Sequence, residues 1–119
     1  MKSPLLAAGA LNALIAVAAG AFAAHGLRAR LEPRALEIFE TGARYQMYHA
    51  LGIILCALLA TGSAQTAGWI LQVGIVVFSG SLYALALTDV KILGAITPIG
   101  GLAFLAGWAY LAWGALRGA

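Results

Sequence analysis

Four long apolar runs constrain this chain more than any other feature of its sequence. Residues 4–24 form the first, interrupted only by Asn12, and residues 44–61, 67–87 and 92–114 form the others. A bilayer core about 30 Å thick takes about 20 apolar residues per helix, so each run reads as a transmembrane span. None alternates polar and apolar residues in the manner of an outer-membrane barrel strand. The connectors Thr61-Gly-Ser-Ala-Gln-Thr66 and Thr88-Asp-Val-Lys91 are too short for anything but antiparallel neighbours. The expected architecture is all-α: one integral membrane domain over residues 1–119, an antiparallel four-transmembrane-helix bundle.

Composition points the same way. Hydrophobic residues make up 63% of the chain and charged ones 9%, against about 25% charged in a soluble domain wetted all round. The net charge of +3 rests on few ions. They are not interleaved with aromatics in a phosphate-tracking stripe, so no nucleic-acid partner is expected. The lone cysteine, Cys56, rules out an internal disulfide and reads as a small buried hydrophobe. The apolar start resembles a secretory signal, but its length and the following Arg28 and Arg30 favour a retained span.

The one long connector holds most of the charge. Within residues 32–43, Ala35, Ile38, Phe39 and Gly42 extend a helical face begun by Leu31, and Glu32, Arg34, Glu37 and Glu40 take the rest. Pro33 suits a first turn, and Glu40 with Arg44 is a favourable i,i+4 pair. This amphipathic helix, continuous with the second span, either lies in the headgroup plane or closes the inner end of the bundle with its apolar face. Arg28, Arg30, Arg34, Arg44 and Lys91 fall on one side, against Lys2 and Arg117 on the other. The positive-inside rule then puts the long connector in the cytoplasm and both termini outside. Trp69, Trp108, Tyr110 and Trp113 would form the outer half of an aromatic belt, and Tyr45 and Tyr48 the inner half.

Small residues recur at four-residue spacing, in Ala16-Gly20-Ala24, Gly80-Ala84 and Ala103-Gly107. Lipid supplies no hydrophobic drive between helices, so close packing at such positions must hold a bundle together. Pro98, ahead of Gly100 and Gly101, predicts a kink or loosened helix in the fourth span.

Intramembrane polar groups are costly and mark the places to look for function. On the expected topology His25, Gln46, His49, Tyr83, Asp89 and Thr97 share the cytoplasmic half, and Asn12 and Gln72 the outer half. His25 and His49 are expected at similar depth on adjacent helices, where imidazoles suit haem or a metal. Without acid or thiol partners at ligand spacing they make a poor metal site, and the expected role is structural, each bonding a carbonyl or a tyrosine. Asp89 reads as a cap for the fourth span or a partner for a connector arginine. No nucleophile–base pair, phosphate loop or carboxylate dyad appears, and no cofactor is implied.

Gly20-Ala-Phe-Ala-Ala-His-Gly26, Phe39-Glu-Thr-Gly42 and Tyr45-Gln-Met-Tyr-His-Ala50 resemble the YgdD/YwdK family of small bacterial membrane proteins. Phe78-Ser-Gly-Ser-Leu-Tyr83 and Thr97-Pro-Ile-Gly-Gly101 with Gly107-Trp108 are similar to its second half. The resemblance implies a bacterial inner-membrane location and a fold, but no reaction and no catalytic residues. Its pattern takes in His25, Gln46, His49, Tyr83 and Pro98. Two functions stay open: a non-enzymatic structural or accessory membrane component, as a homo-oligomer or within a larger complex, or a solute- or proton-linked transport or ligand-binding protein using the polar cluster.

Overall fold

The computed structural model describes residues 2–118; Met1 and Ala119, at the ends of the expected domain, lie outside them. Among the described residues every regular element is helical: α1 (Pro4–Phe22), a π-helical turn (Ala23–Leu27), α2 (Pro33–Leu59), α3 (Gly62–Thr88) and α4 (Leu93–Arg117). The path runs up and down, with α1 packed on α2, α2 on α3 and α3 on α4, and a lighter contact between α1 and α3.

Local chemistry explains the ends. Ser3 accepts a hydrogen bond from the Leu6 amide and Pro4 occupies the first turn of α1, while Thr61 Oγ1 accepts from the Ala64 amide to start α3. Both satisfy amides that a helix start leaves without partners. α2 and α3 end at Ala60 and Asp89, which take left-handed conformations at φ 58° and 56° and close each helix with a bond to the carbonyl four residues back.

Three helical segments, Pro4–Leu27, Gly62–Thr88 and Leu93–Arg117, are long and apolar enough to cross a membrane. α2 is long, but Arg34, Glu37, Glu40 and Arg44 dilute its first half. The connector helix expected at 32–43 and the span expected at 44–61, continuous with it, fall within one uninterrupted helix of 27 residues, α2. Its opening turns do not form a separate element lying across the bundle. Instead Phe39 packs with Ala23, Leu27 and Ala86, flanked by Leu31, Ile38 and Tyr83, and so closes the basic end.

A second apolar cluster fills the opposite end, with Leu5, Ile53, Cys56, Ala67, Leu71, Ile75 and Phe104 at its centre. Glycine permits the closest approach here and in α4. A Cβ on Gly100 would run into the backbone of Phe78, so α3 and α4 touch main chain to main chain. α4 continues without interruption through Pro98. The expected small-residue stripes are used unevenly. Gly107 receives Leu71, whereas Gly20 and Gly80 have nothing within reach of an added Cβ. These two face away from the chain's own core.

The longer α2 also shifts the aromatic residues. Tyr45 and Tyr48 fall near the middle of α2, with Tyr45 against Phe78 at 4.9 Å. Trp108 lies over Gly52 and beside His49, a packing role more than a belt position. Trp113 keeps a boundary character, 51% exposed with Arg117 stacked 3.7 Å over its ring.

Candidate functional site

The two apolar clusters are separated by a band of polar side chains, and the central member is Gln46, the middle residue of α2. Its surroundings are set by Gly42, one turn earlier. A side chain there would strike the ring of Tyr83. Without one, Tyr83 lies flat enough on α2 to meet Phe39 at a centroid distance of 4.8 Å. The same gap lets Ser79 Oγ donate to the Gly42 carbonyl at 2.8 Å. Phe39, Gly42 and Gln46 therefore share one face of α2, and that face receives Ser79 and Tyr83 of α3.

From there a chain of hydrogen bonds crosses three helices. The Tyr83 hydroxyl donates to Gln46 Oε1 at 2.7 Å. Gln46 Nε2 donates to Asn12 Oδ1 at 3.0 Å. Asn12 Nδ2 donates to Gln72 Oε1 at 2.7 Å and to the Ala8 carbonyl at 2.8 Å. One carbonyl fixes the sense of the whole chain. The Ala8 oxygen only accepts, so Asn12 must present its amino group to it. That leaves the Asn12 oxygen for Gln46, which must offer its own amino group and turn its oxygen to the Tyr83 hydroxyl. Gln46 and Asn12 are buried, at 4% and 7% exposure. Among the described residues no buried side-chain nitrogen or oxygen lacks a partner.

Beside this chain, His49 is buried against α4. Its ring stacks on Phe104 with centroids 3.5 Å apart and planes within 6°. Its Nδ1 lies 2.7 Å from the Tyr45 carbonyl. That carbonyl only accepts, so the proton sits on Nδ1.

The residues expected to gather on one side are dispersed. Gln46 and Tyr83 meet, and His49 lies one turn from Gln46, but His25 does not join them. It is exposed in the π-helical turn, thirteen residues past Asn12, or roughly 20 Å along a helix at 1.5 Å per residue. His49 is near the level of Asn12, because Gln46 touches Asn12. The expected approach of His25 to His49 is thus corrected, and the two imidazoles cannot share a metal or haem. Among the described residues no three His, Cys, Asp or Glu side chains assemble as a metal set.

Asp89 neither caps α4 nor meets a connector arginine; it ends α3 and pairs with Lys91 at 2.7 Å on the exposed turn. Thr97 bonds Ser81 and its own helix at Leu93, joining α4 to α3 away from Gln46. Nor does Glu40 pair with Arg44: the ion pairs among the described residues are Arg34–Glu37 and Lys91–Asp89. The segments 39–46 and 78–83, separate in sequence, are one contact surface.

A family model described as "Protein of unknown function (DUF423)" matches residues 19–101, which hold both segments. The chain belongs to this family. The UPF0382 membrane protein YwdK of Bacillus subtilis is 53% identical over 105 residues, covering 84% of this chain and 85% of that relative. The UPF0382 membrane protein SERP0230 of Staphylococcus epidermidis is 54% identical over 106 residues, 87% of each chain. A third, SSP2132 of Staphylococcus saprophyticus, is 48% identical over 112 residues, 92% of this chain and 93% of the relative. No solved structure matches. With relatives named as membrane proteins and three apolar helices of spanning length, this DUF423 member is a membrane protein. The matched segment includes Gln46, His49, Gln72 and Tyr83, while Asn12 lies ahead of it.

Proposed function

We propose that this chain is a non-enzymatic structural or accessory component of the bacterial inner membrane, a four-span bundle in which α2 crosses as the fourth span. The observation that carries this reading is the hydrogen-bonded chain Tyr83–Gln46–Asn12–Gln72. The buried amides of Asn12 and Gln46 are spent on each other, on Tyr83 and Gln72 and on the Ala8 carbonyl, and they tie α1, α2 and α3 together at mid-length. In hydrocarbon an unpaired polar group costs energy and the hydrophobic effect gives helices no reason to associate, so such bonds serve as glue. α2 tolerates its polar half because that half turns Gln46 and Phe39 to the other helices.

The chain is a poor proton route. Asparagine and glutamine accept on oxygen and donate from nitrogen, so a proton taken up at one atom has no ready exit from the other. Orientation follows the charges. Arg30, Arg34, Asp89 and Lys91 line one cleft of about 580 Å³ at the basic end, which the positive-inside rule assigns to the cytoplasm, with both termini outside.

Purified protein reconstituted in vesicles separates this reading from transport. Gln46→Leu should lower the thermal midpoint, and vesicles holding the native chain should dissipate a pH gradient no faster than empty ones. Rapid dissipation by native protein, abolished by Gln46→Leu at unchanged stability, would instead make the polar chain a transport path.

A further inference from the structure

A groove of about 370 Å³ runs between α1 and α2, lined by Ala16, Gly20, Glu40, Ala43, Arg44 and Met47. Two charges one helical turn apart flank it, and neither has an ion partner among the described residues. Arg44 makes a single long contact, Nη2 to Thr41 Oγ1 at 3.4 Å, leaving most of a five-donor group unused.

Depth makes this pair unusual. Gly42, between the two charges, touches Ser79 and Tyr83, Ser81 bonds Thr97, and Phe78 abuts Gly100. Residues 40–44 therefore share a level with 78–83 and 97–100. Near that level the outer surface is otherwise apolar: Ile99 is 60% exposed on α4 and Val17, one residue from groove-lining Ala16, is 62% exposed on α1. A charged pair amid lipid-facing surface needs partners. Gly20 adds an independent sign, because a Cβ there would meet nothing and the chain's own packing leaves that face open.

We infer that this groove is the interface of a two-fold dimer, in which Arg44 of each copy pairs with Glu40 of the other. A two-fold axis along the groove brings identical surfaces together and so presents each base to the opposite acid twice over. The four-residue offset, about 6 Å at 1.5 Å per residue, is within the reach of an arginine side chain. A second copy fits better than any other occupant because the surface carries one charge of each sign and complements itself. The inference rests on α2 crossing the bilayer, which side-specific labelling of a cysteine at Arg30 against one at Gly62, at the two ends of α2, tests separately.

The experiment is a charge exchange read as oligomeric mass of the full chain in nanodiscs or mild detergent. The native 12.2 kDa chain should run as a dimer. Glu40→Arg and Arg44→Glu should each reduce the dimer fraction at least tenfold, and the double exchange should restore it. Gly20→Leu, at a position where an added Cβ meets nothing, should also abolish the dimer while leaving the thermal unfolding transition in place. A monomeric native chain, including one that retains lipid phosphate in the groove, would overturn the inference. So would single exchanges that leave the dimer intact, or a folded double exchange that stays monomeric.

Discussion

Gln46 and Asn12 meet amide to amide at 3.0 Å, each near the middle of its helix. This contact fixes the register of α2 on α1. It also decides the depth of every other residue on α2, including His49 one turn later. An apolar pair at the same place would pack as well in a slid register; two amides bond in one.

Close approach of α3 and α4 depends on Gly100, whose missing side chain makes room for the Phe78 backbone. Gly100→Ala should destabilise by about 1–3 kcal/mol, because the obstructing atoms are main chain and cannot turn aside. Gly80→Ala, where a Cβ meets nothing, serves as the control and should change the thermal midpoint little. Equal behaviour of the two variants would show that the backbone contact is dispensable.

The left-handed C-terminus of α2 offers a gain. Ala60 holds φ 58°, a conformation that costs a residue with a Cβ about 1 kcal/mol and glycine almost nothing. Ala60→Gly should therefore raise the thermal midpoint, whereas Ala60→Val should lower it further than its size alone predicts. A fall with glycine would mean the helix ends differently in solution.

Side-specific labelling tests the orientation. With Cys56 replaced by alanine, a cysteine at exposed Gly62 should react with an impermeant maleimide in intact cells. One at exposed Val90, in the opposite turn, should react only after lysis. The reverse pattern would invert the topology, and labelling of both from outside would mean that α3 does not cross.

Much of the fold is legible in the sequence, since apolar runs of spanning length and short turns speak through local composition. α3 ends and α4 begins near the expected boundaries because Asp89 and Lys91 punctuate them, but α3 starts at Gly62 rather than at residue 67: Thr61 caps a helix that runs through the expected turn. What is not legible is register. Glu37, Glu40 and Arg44 mark a connector helix that runs on into the second span, but they do not tell how far that helix reaches along α1. Its reach carries Gln46 and His49 from an expected inner position to mid-length. The polar site suffers for the same reason. Gln46 and Tyr83 stand out in the sequence, but its charge pattern puts Asn12 and Gln72 in the other half of the membrane, and its spacing puts His25 beside His49. Only the packing of Tyr83 over Gly42, set by a side chain that is not there, shows which of them meet.

The central claim is that the mid-bundle polar chain is a structural lock, and a double-mutant cycle on Asn12 and Gln46 tests it most directly. Asn12→Ala, Gln46→Ala and the double variant are compared by reversible unfolding in mixed micelles. Interhelical hydrogen bonds in membrane proteins are worth about 0.6 kcal/mol on average and up to about 1.7. A coupling energy of about 0.5–1.7 kcal/mol, with each single variant less stable than the native chain, is the result expected here. Strictly additive losses, or single variants as stable as the native protein, would contradict it.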